Sequence, residues 1–499
     1  MKNIFRIMFA ALLIFSAVIP GKADMCRNEK SGNNKGQRAV TAAGCTPSSA
    51  FEWLDINNVK TRVNAGGDMW WDLPGGTGSK YYIPANGSAT SLYAGSLWIA
   101  GVDVNDQLKC AAVRFRQGPN FNGGNDFWTG PLTVDGKASI DDATCARWDK
   151  LFKITRAEVD EFLSNCDENG APAAGYEIPS IIRNWPAHPT AEDEGVAHYL
   201  APFYDTDGDG EYDPSQGDYP YYDMDNVLCH TKVATMEESV FGSMHGSILA
   251  DQVLKGDQTL WWIFNDKGAS HTESGGQAIG LEIRAQAFAF ATNDEINNMT
   301  FYSYEIINRS TYTLTGTYFS PWTDVDLGYG YDDYVGCDVA RGLGYGYNGK
   351  AVDGSGEPEA YGSQPPAIGI DFFQGPYMDA DGIDNPKYAY TYMKVLDPVT
   401  GDSVLVAIDS TQMVDESING VNFGNGIVDD ERFGMRRFVY HNNGSGSGNN
   451  YDPKDAPEYY NLLRGIWTDG VRMRYGGDAS TGGDVVGPEC DFMFPGDSD

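Results

Sequence analysis

Four strand-length segments downstream of Thr259 constrain the fold more than any other feature of the sequence. Leu260-Trp-Trp-Ile-Phe264, Ile279 to Ala291, Met299 to Ile307 and Tyr312 to Phe319 are rich in β-branched and aromatic residues and are separated by turn residues. That combination favours strands over helices. Within the third segment, Phe301-Tyr-Ser-Tyr-Glu-Ile-Ile alternates with a period of two, which puts its apolar and aromatic groups on one face. Val59 to Asn64, Ser91 to Gly101 and Leu108 to Phe115 carry similar patterns upstream. Sixty glycines and 24 prolines, among them Gly66-Gly67 and Pro74-Gly75-Gly76, supply the turns. The expectation is a mainly β chain: antiparallel, sandwich-like β-domains with long Gly/Asp-rich loops and a few short helices. No internal repeat of constant period is visible, which argues against a solenoid or propeller.

Three short helices are expected. Thr155 and Glu158 form a capping box ahead of Val159, Phe162 and Leu163, which share a face. A second helix near Ile181 ends before Trp185-Pro186, and a third covers Glu458 to Trp467. The sequence divides into a leader (1–23), a polar linker (24–50) and an N-terminal β-rich region (51–200) with a short helix at 155–165. A connector (201–258) and a C-terminal sandwich-like region (259–499), expected to be incomplete, follow.

The leader bounds the compartment. Lys2 and Arg6 precede an almost wholly apolar stretch from Ile7 to Ile19, and Gly21-Lys22-Ala23 ends in small residues. This is the layout of a cleavable secretory signal peptide, too short to span a bilayer. No Leu-x-Gly-Cys lipobox precedes Cys26. The expectation is therefore export across the inner membrane to the medium or cell surface, without membrane insertion. Seventy acidic against 35 basic residues give a formal charge of −35, and losing the leader with its three cations makes it −38. Such a field disfavours nucleic acid and anionic membranes and suits multivalent cations. Eight cysteines in an exported chain permit four disulfides. Spacing alone suggests the local pairs Cys145–Cys166 and Cys26–Cys45.

The acidic motifs carry the chemistry. In Asp205-Thr-Asp207-Gly-Asp209-Gly210-Glu211-Tyr-Asp213, carboxylates at alternate positions precede a glycine, which is how a short loop wraps oxygen ligands around Ca²⁺. Asp205, Asp207 and Asp209 supply side chains, Glu211 a backbone carbonyl, and Asp213 a ligand acting through water. Gln216 stands where an EF-hand has its bidentate Glu, and no helical pattern flanks the loop. It reads as a structural Ca²⁺ clip, with a metal-free acidic turn as the alternative. Asp324, Asp326, Asp332, Asp333 and Asp338 place five carboxylates within fifteen residues after a strand. Asp379, Asp381 and Asp384 form a compact Asp-x-Asp-Gly-x-Asp turn, and Asn425-Gly-Ile-Val-Asp429-Asp430-Glu431 resembles the second half of a Ca²⁺ loop. Each suits a hard cation, and each is equally open to the local turn preference of Asp, Asn and Gly.

Enzymatic signatures are thin. The sequence has no Gly-x-Ser-x-Gly elbow, His-Glu-x-x-His helix, P-loop or dinucleotide fingerprint. Its six histidines (His188, His198, His230, His245, His271, His441) are scattered. A glycosidase needs only two suitably spaced carboxylates, and 11 Trp with 29 Tyr could line a sugar groove. In Trp70-Trp71 and Trp261-Trp262, strand alternation puts one ring of each pair in a core and leaves the other as a possible platform.

A resemblance emerges from several motifs together. Gly66-Gly-Asp-Met-Trp-Trp-Asp, Ser96-Leu-Trp-Ile-Ala-Gly-Val-Asp, Leu260-Trp-Trp-Ile-Phe-Asn-Asp, Asn308-Arg-Ser, Asp324-Val-Asp-Leu-Gly, Asp332-Asp-Tyr-Val-Gly-Cys-Asp and Gly382-Ile-Asp-Asn-Pro are its carriers. As a set they resemble a region of large secreted proteins of Bacteroidota exported by the type IX secretion system. The resemblance covers most of residues 59 to 495. It implies a cell-surface or released protein and leaves the activity undefined. Such proteins end in a sorting domain, and this sequence stops at Pro495-Gly-Asp-Ser-Asp499 without one, so a fragment of a longer chain is expected. The function expected is that of a surface-associated, non-catalytic, adhesion- or matrix-type β-protein stabilised by Ca²⁺ loops. Its partner would be an extracellular glycan or surface protein. A secreted polysaccharide-acting hydrolase with an Asp/Glu pair is the alternative.

Overall fold

All eight residues of Gln258–Asn265 are buried, which requires that both faces of this strand be covered. The computed structural model describes residues 44–72, 78–116, 124–168, 170–222, 253–388, 391–396, 403–408, 413–444, 448–476, 479 and 487–495. They fall in one unit, Ala42–Asp499. The leader, Cys26, Cys229, His230, His245 and Pro74-Gly75-Gly76 lie outside them.

The strands in chain order are β1 (Phe51–Leu54), β2 (Lys60–Asn64), β3 (Asp68–Met69), β4 (Tyr81–Tyr82), β5 (Ala94–Asp103), β6 (Leu108–Ala111) and β7 (Trp128–Thr129). Next come β8 (Phe152–Thr155), β9 (Phe203–Tyr204), β10 (Tyr219–Pro220), β11 (Gln258–Asn265), β12 (Leu281–Ala289), β13 (Phe301–Asn308) and β14 (Leu314–Asp324). The last are β15 (Asp333–Asp338), β16 (Leu343–Asn348), β17 (Val352–Asp353), β18 (Gly362–Ser363), β19 (Ala367–Asp371), β20 (Thr391–Leu396) and β21 (Ser403–Ile408). The helices are α1 (Asp142–Arg147), α2 (Arg156–Ser164), α3 (Ser180–Arg183) and α4 (Ala456–Leu463).

Two antiparallel sheets form the centre. One has the order β1-β2-β3-β5-β14, with β4 on β2 and β6 on β5; the other runs β13-β12-β11-β7, with β8 also on β11. Leu54, Val63, Leu97, Ile99 and Ala111 of the first sheet pack against Leu260, Trp262, Phe264, Leu281 and Ile283 of the second, so the expected sandwich is present. Full burial of such side chains contributes roughly 1.5–3 kcal/mol each. On the outer face of the second sheet, Trp261 and Ile263 meet Val159 and Phe162 of α2, Ile182 of α3 and Trp185. On the outer face of the first, Trp98 and Trp322 meet Tyr459, Leu462 and Trp467 from α4 and its C-terminal turn.

This layering corrects three expectations. Trp70, Trp71, Trp261 and Trp262 are all buried, because helices and loops cover the faces on which a sugar platform was conceivable. The division at residues 200 and 258 does not separate folding units: β5 pairs with β14 and β7 and β8 pair with β11, so both sheets draw strands from both sides. Cys145 bonds to Cys45, which overturns both expected pairs, Cys145–Cys166 and Cys26–Cys45; the Cys166 thiol instead donates to the Phe162 carbonyl within its own turn at 3.3 Å.

The helices follow the caps. Thr155 Oγ1 accepts from the Glu158 amide at 3.2 Å while Glu158 Oε2 accepts from the Thr155 amide at 2.8 Å. α4 starts earlier than expected because Asp455 caps it, accepting from the Glu458 amide at 3.1 Å, and stops earlier because Gly465 at φ +69° ends it with a left-handed residue. The sequence pattern also misses a three-stranded sheet, β15-β16-β19. There Gly344 and Gly346 face the core, where an added Cβ would meet Phe438 and Val325 at 2.8 and 2.6 Å.

Candidate metal centre

β9 pairs with β10, with Tyr204 opposite Tyr219 and Phe203 opposite Pro220, so residues 205–218 form a hairpin loop. Phe203 is wholly buried beside Trp185 and Ile182, which fixes the base of the hairpin to the body. Gly208 and Gly210 take φ values of +75° and +83°, the left-handed region that glycine enters without steric cost. The loop then curls around Asp205, which is buried. Asp205 accepts from the Gly208 amide at 2.7 Å and from the Gly210 amide at 2.9 Å through separate oxygens. Asp207 accepts from the Asp209 amide at 3.2 Å, and Asp209 from the Glu211 amide at 2.8 Å.

One carboxylate oxygen from each of Asp205, Asp207 and Asp209 lies within 4.8 Å of the other two. Three negative charges at that spacing repel, and an all-oxygen donor set is what Ca²⁺ takes, at about 2.3–2.6 Å. The sequence reading overlooked Asp218. It is 1% exposed and holds the loop's ends by accepting from the Thr206 amide at 2.7 Å and the Asp213 amide at 2.8 Å. Burial pushes its carboxyl up to about 6, and the charges of Asp205 and Asp207 add to the rise. The only available signal was its place at the foot of the second strand of a hairpin. The side chains of Glu211 and Asp213, expected to contribute a backbone carbonyl and a water-mediated contact, are engaged elsewhere. Asp213 accepts from the amide and hydroxyl of Ser215 at 2.9 and 2.7 Å, and the Glu211 carboxylate joins His188 and His198.

The second acidic group does not converge as the first does: among the described residues, no three of its carboxylates place oxygens within 4.8 Å of one another. Asp324 ends β14, Asp326 lies in the following loop, Asp332 and Asp333 precede and start β15, and Asp338 ends it. Asp338 is tied to Arg341 at the far end of the strand from Asp333, so the strand conformation removes it from the group. Asp353, from β17, joins instead: it is 1% exposed and accepts from the Tyr329 amide at 3.0 Å. The loop closes tightly over these acids. A Cβ at Gly328 would meet Asp353 Oδ2 at 1.9 Å, and one at Gly330 would meet Asp326 Oδ1 at 2.2 Å. Burial pushes Asp324 and Asp333 each up to about 7 and raises Asp326, with neighbouring carboxylates adding to the first two. Asp332 Oδ1 and Asp333 Oδ1 are buried without a hydrogen-bond partner. Buried unpaired acceptors are costly; Asp332 already meets one cation through its other oxygen, 3.3 Å from Lys350 Nζ.

The third and fourth motifs interlock. Asp384 accepts from the Gly424 and Gly426 amides at 2.9 and 2.7 Å. Asp429 returns the contact, accepting from the Asp381 and Gly382 amides at 2.7 and 2.9 Å. Asp381 accepts from the Ile383 amide and the Asn385 side chain, while Asp379 is exposed. These bonds hold the two turns together, and among the described residues no three carboxylates of the clasp place oxygens within 4.8 Å of one another.

A mixed cluster also stands beside the Asp205 loop. His188, His198 and Glu211 each place one ligand atom within 4.8 Å of the others. Elsewhere, a small cleft lined by Leu200, Pro202, Trp261, Arg284, Gln286, Ser303 and Glu305 carries a single carboxylate, where a glycosidase uses two.

Protein-family models, curated proteins and solved structures were compared with the chain, and none matches. Among the described residues, no helix is long and apolar enough to cross a membrane.

Proposed function

We propose that this chain is an exported, surface-associated, non-catalytic β-protein of adhesion or matrix type, and that Ca²⁺ bound in its acidic loops stiffens it. The observation that carries the reading is the convergence of Asp205, Asp207 and Asp209 within 4.8 Å, on a hairpin whose base is fixed in the core. A clip at such a place joins a long loop to a rigid layer, which is structural work. The type IX resemblance and the leader point to the cell surface, where Ca²⁺ is abundant enough to fill weak sites.

An adhesive role also has a surface to act through. On the outer face of the β15-β16-β19 sheet, Tyr334 and Tyr347 pair across the strands with their rings stacked at 6.0 Å. Tyr345 lies flat over Gly336 and Tyr334 over Gly349, so closely that a Cβ would meet the rings at 2.5 and 2.0 Å. Tyr334 is 61% and Tyr347 44% exposed. A patch of tyrosine rings, inclined 28° and 39° to one another, suits the apolar face and hydroxyls of a sugar ring.

The test is unfolding of the purified protein in Ca²⁺ and in EDTA. Ca²⁺ present at about 100 times its dissociation constant stabilises by about 2.7 kcal/mol. An unchanged midpoint would refute the calcium reading.

A further inference from the structure

The Glu211 carboxylate stands outside the carboxylate cluster of its own loop, and its neighbours explain why. Segments 185–188 and 198–202 run side by side. The Leu200 amide donates to the Ala187 carbonyl at 2.8 Å, Ala201 to Pro186 at 3.1 Å, and the Trp185 indole to the Pro202 carbonyl at 3.0 Å. Trp185, Ala187, Leu200 and Ala201 are buried against the sheet, so the backbone that carries both imidazoles is anchored. The hairpin loop brings Glu211 to them. Its amide is held by Asp209 Oδ1, and the next residue, Tyr212, donates its hydroxyl to the Ile182 carbonyl at 2.6 Å.

The hydrogen bonding of His188 selects its tautomer. Its Nδ1 lies 2.8 Å from the His198 carbonyl, and a carbonyl only accepts, so Nδ1 carries the hydrogen and Nε2 keeps its lone pair. A backbone carbonyl on the far nitrogen is the usual support of a metal-ligating imidazole. His188 Nε2 is buried and has no partner. His198 Nε2 stands 3.5 Å from Glu211 Oε1. With bonds of about 2.0–2.1 Å, a tetrahedral zinc centre separates its ligand atoms by about 3.3 Å. That pair is therefore already at coordination spacing, and the side chains of His198 and Glu211 are exposed enough to close the rest.

We propose that His188, His198 and Glu211 form a binding site for a divalent transition-metal ion of the zinc class, with a fourth position open to solvent. Two imidazole nitrogens and one carboxylate suit zinc and its neighbours, whereas Ca²⁺ selects oxygen. The hairpin loop thus serves two ions of different chemistry: oxygens of Asp205, Asp207 and Asp209 on one side, and Glu211 with two histidines on the other. Three protein ligands and an open position leave room for water or for a donor from a bound partner.

The experiment titrates the full chain with Zn²⁺ by calorimetry, in excess Ca²⁺ to occupy the acidic loops, and then with Co²⁺ followed by visible absorption. One equivalent of Zn²⁺ should bind, with Co²⁺ giving the intense bands of four-coordinate geometry. His198→Ala and Glu211→Gln should each weaken binding at least about tenfold, the lower bound for disturbing even an outer-shell contact, and should abolish those bands. Both altered side chains are exposed, so an unchanged urea midpoint in metal-free buffer verifies that the variants fold. Equal Zn²⁺ affinity in the variants, or only weak six-coordinate Co²⁺ absorption in the parent, would overturn the site. Repeating the titration without Ca²⁺ separates the two readings: zinc binding that persists in a protein unresponsive to Ca²⁺ sinks the calcium clip alone.

Discussion

Replacing Asp207 by Asn should change the sign of its effect with the ion present. In EDTA the Asp207 carboxylate has an oxygen within 4.8 Å of oxygens on both Asp205 and Asp209. At that distance each like-charge pair costs about 0.9 kcal/mol in the dielectric of water. Two pairs give about 2 kcal/mol, and salt lowers this to about 1–2 kcal/mol. Asn keeps an oxygen to accept from the Asp209 amide, so Asp207→Asn should stabilise the metal-free protein by about 1–2 kcal/mol. With Ca²⁺ at about 100 times the parent's dissociation constant, the parent gains about 2.7 kcal/mol. A variant whose affinity falls about 100-fold, the upper end of outer-shell effects, gains only about 0.4 kcal/mol. The order of stabilities then inverts. In a cooperative unit the size of Ala42–Asp499, 1 kcal/mol moves a thermal midpoint by only about 1 °C. Urea unfolding and hydrogen exchange of the peptide spanning 203–221 are therefore the assays of choice. An Asp207→Asn protein that is less stable than the parent in both buffers, or identical in both, refutes the reasoning.

Three further outcomes follow from the same structure. Cys45 and Cys145 close a loop with a sequence separation of 100, so changing both to Ser should cost about 2–5 kcal/mol in denaturant melts. Asp333→Asn should diminish Ca²⁺-dependent stabilisation while Asp338→Asn leaves it intact, because Asp338 is occupied by Arg341; equal effects would contradict the placement of β15. Finally, Asp218, Asp324 and Asp333 titrate near 6, 7 and 7 in the fold, above the ordinary 3.8. The folded state then binds more protons than the unfolded one between about pH 4 and 7, so stability in EDTA falls as pH rises through that window. Ca²⁺ should flatten the fall. A profile in EDTA that rises with pH would be the opposite sign.

The strands were legible where burial leaves a chemical record. β11 and β12 carry β-branched and aromatic runs because both of their faces are covered, β13 shows the alternation of a partly exposed strand, and α2 announced itself through Thr155 and Glu158. β16 left no such record. Its Leu343-Gly-Tyr-Gly-Tyr-Asn puts glycine where the core approaches closely and tyrosine outward, the reverse of the usual pattern, so the segment reads as loop. The partners of strands were equally hidden. Nothing in a local window tells that β5 will pair with β14 more than two hundred residues later, or that Cys45 will reach past its neighbours to Cys145.

The same limit explains the metal centre. Asp205, Asp207 and Asp209 were visible because a single turn supplies all three, and local spacing then determines spatial spacing. Asp218 and Asp353 were not, since each reaches its group through a strand pairing: β10 on β9 for the first, and for the second β16 on β15, which returns the chain beside Asp333. Asp338 failed for the complementary reason. It is five residues from Asp333 in sequence, yet an extended strand carries it about 16 Å away, whereas the same five residues in a turn would have kept the two together. Sequence proximity of acids therefore predicts a shared site only where the intervening backbone turns. The glycines at 208 and 210, with their positive φ, mark such a turn in a way that the extended residues between Asp333 and Asp338, Gly336 included, do not.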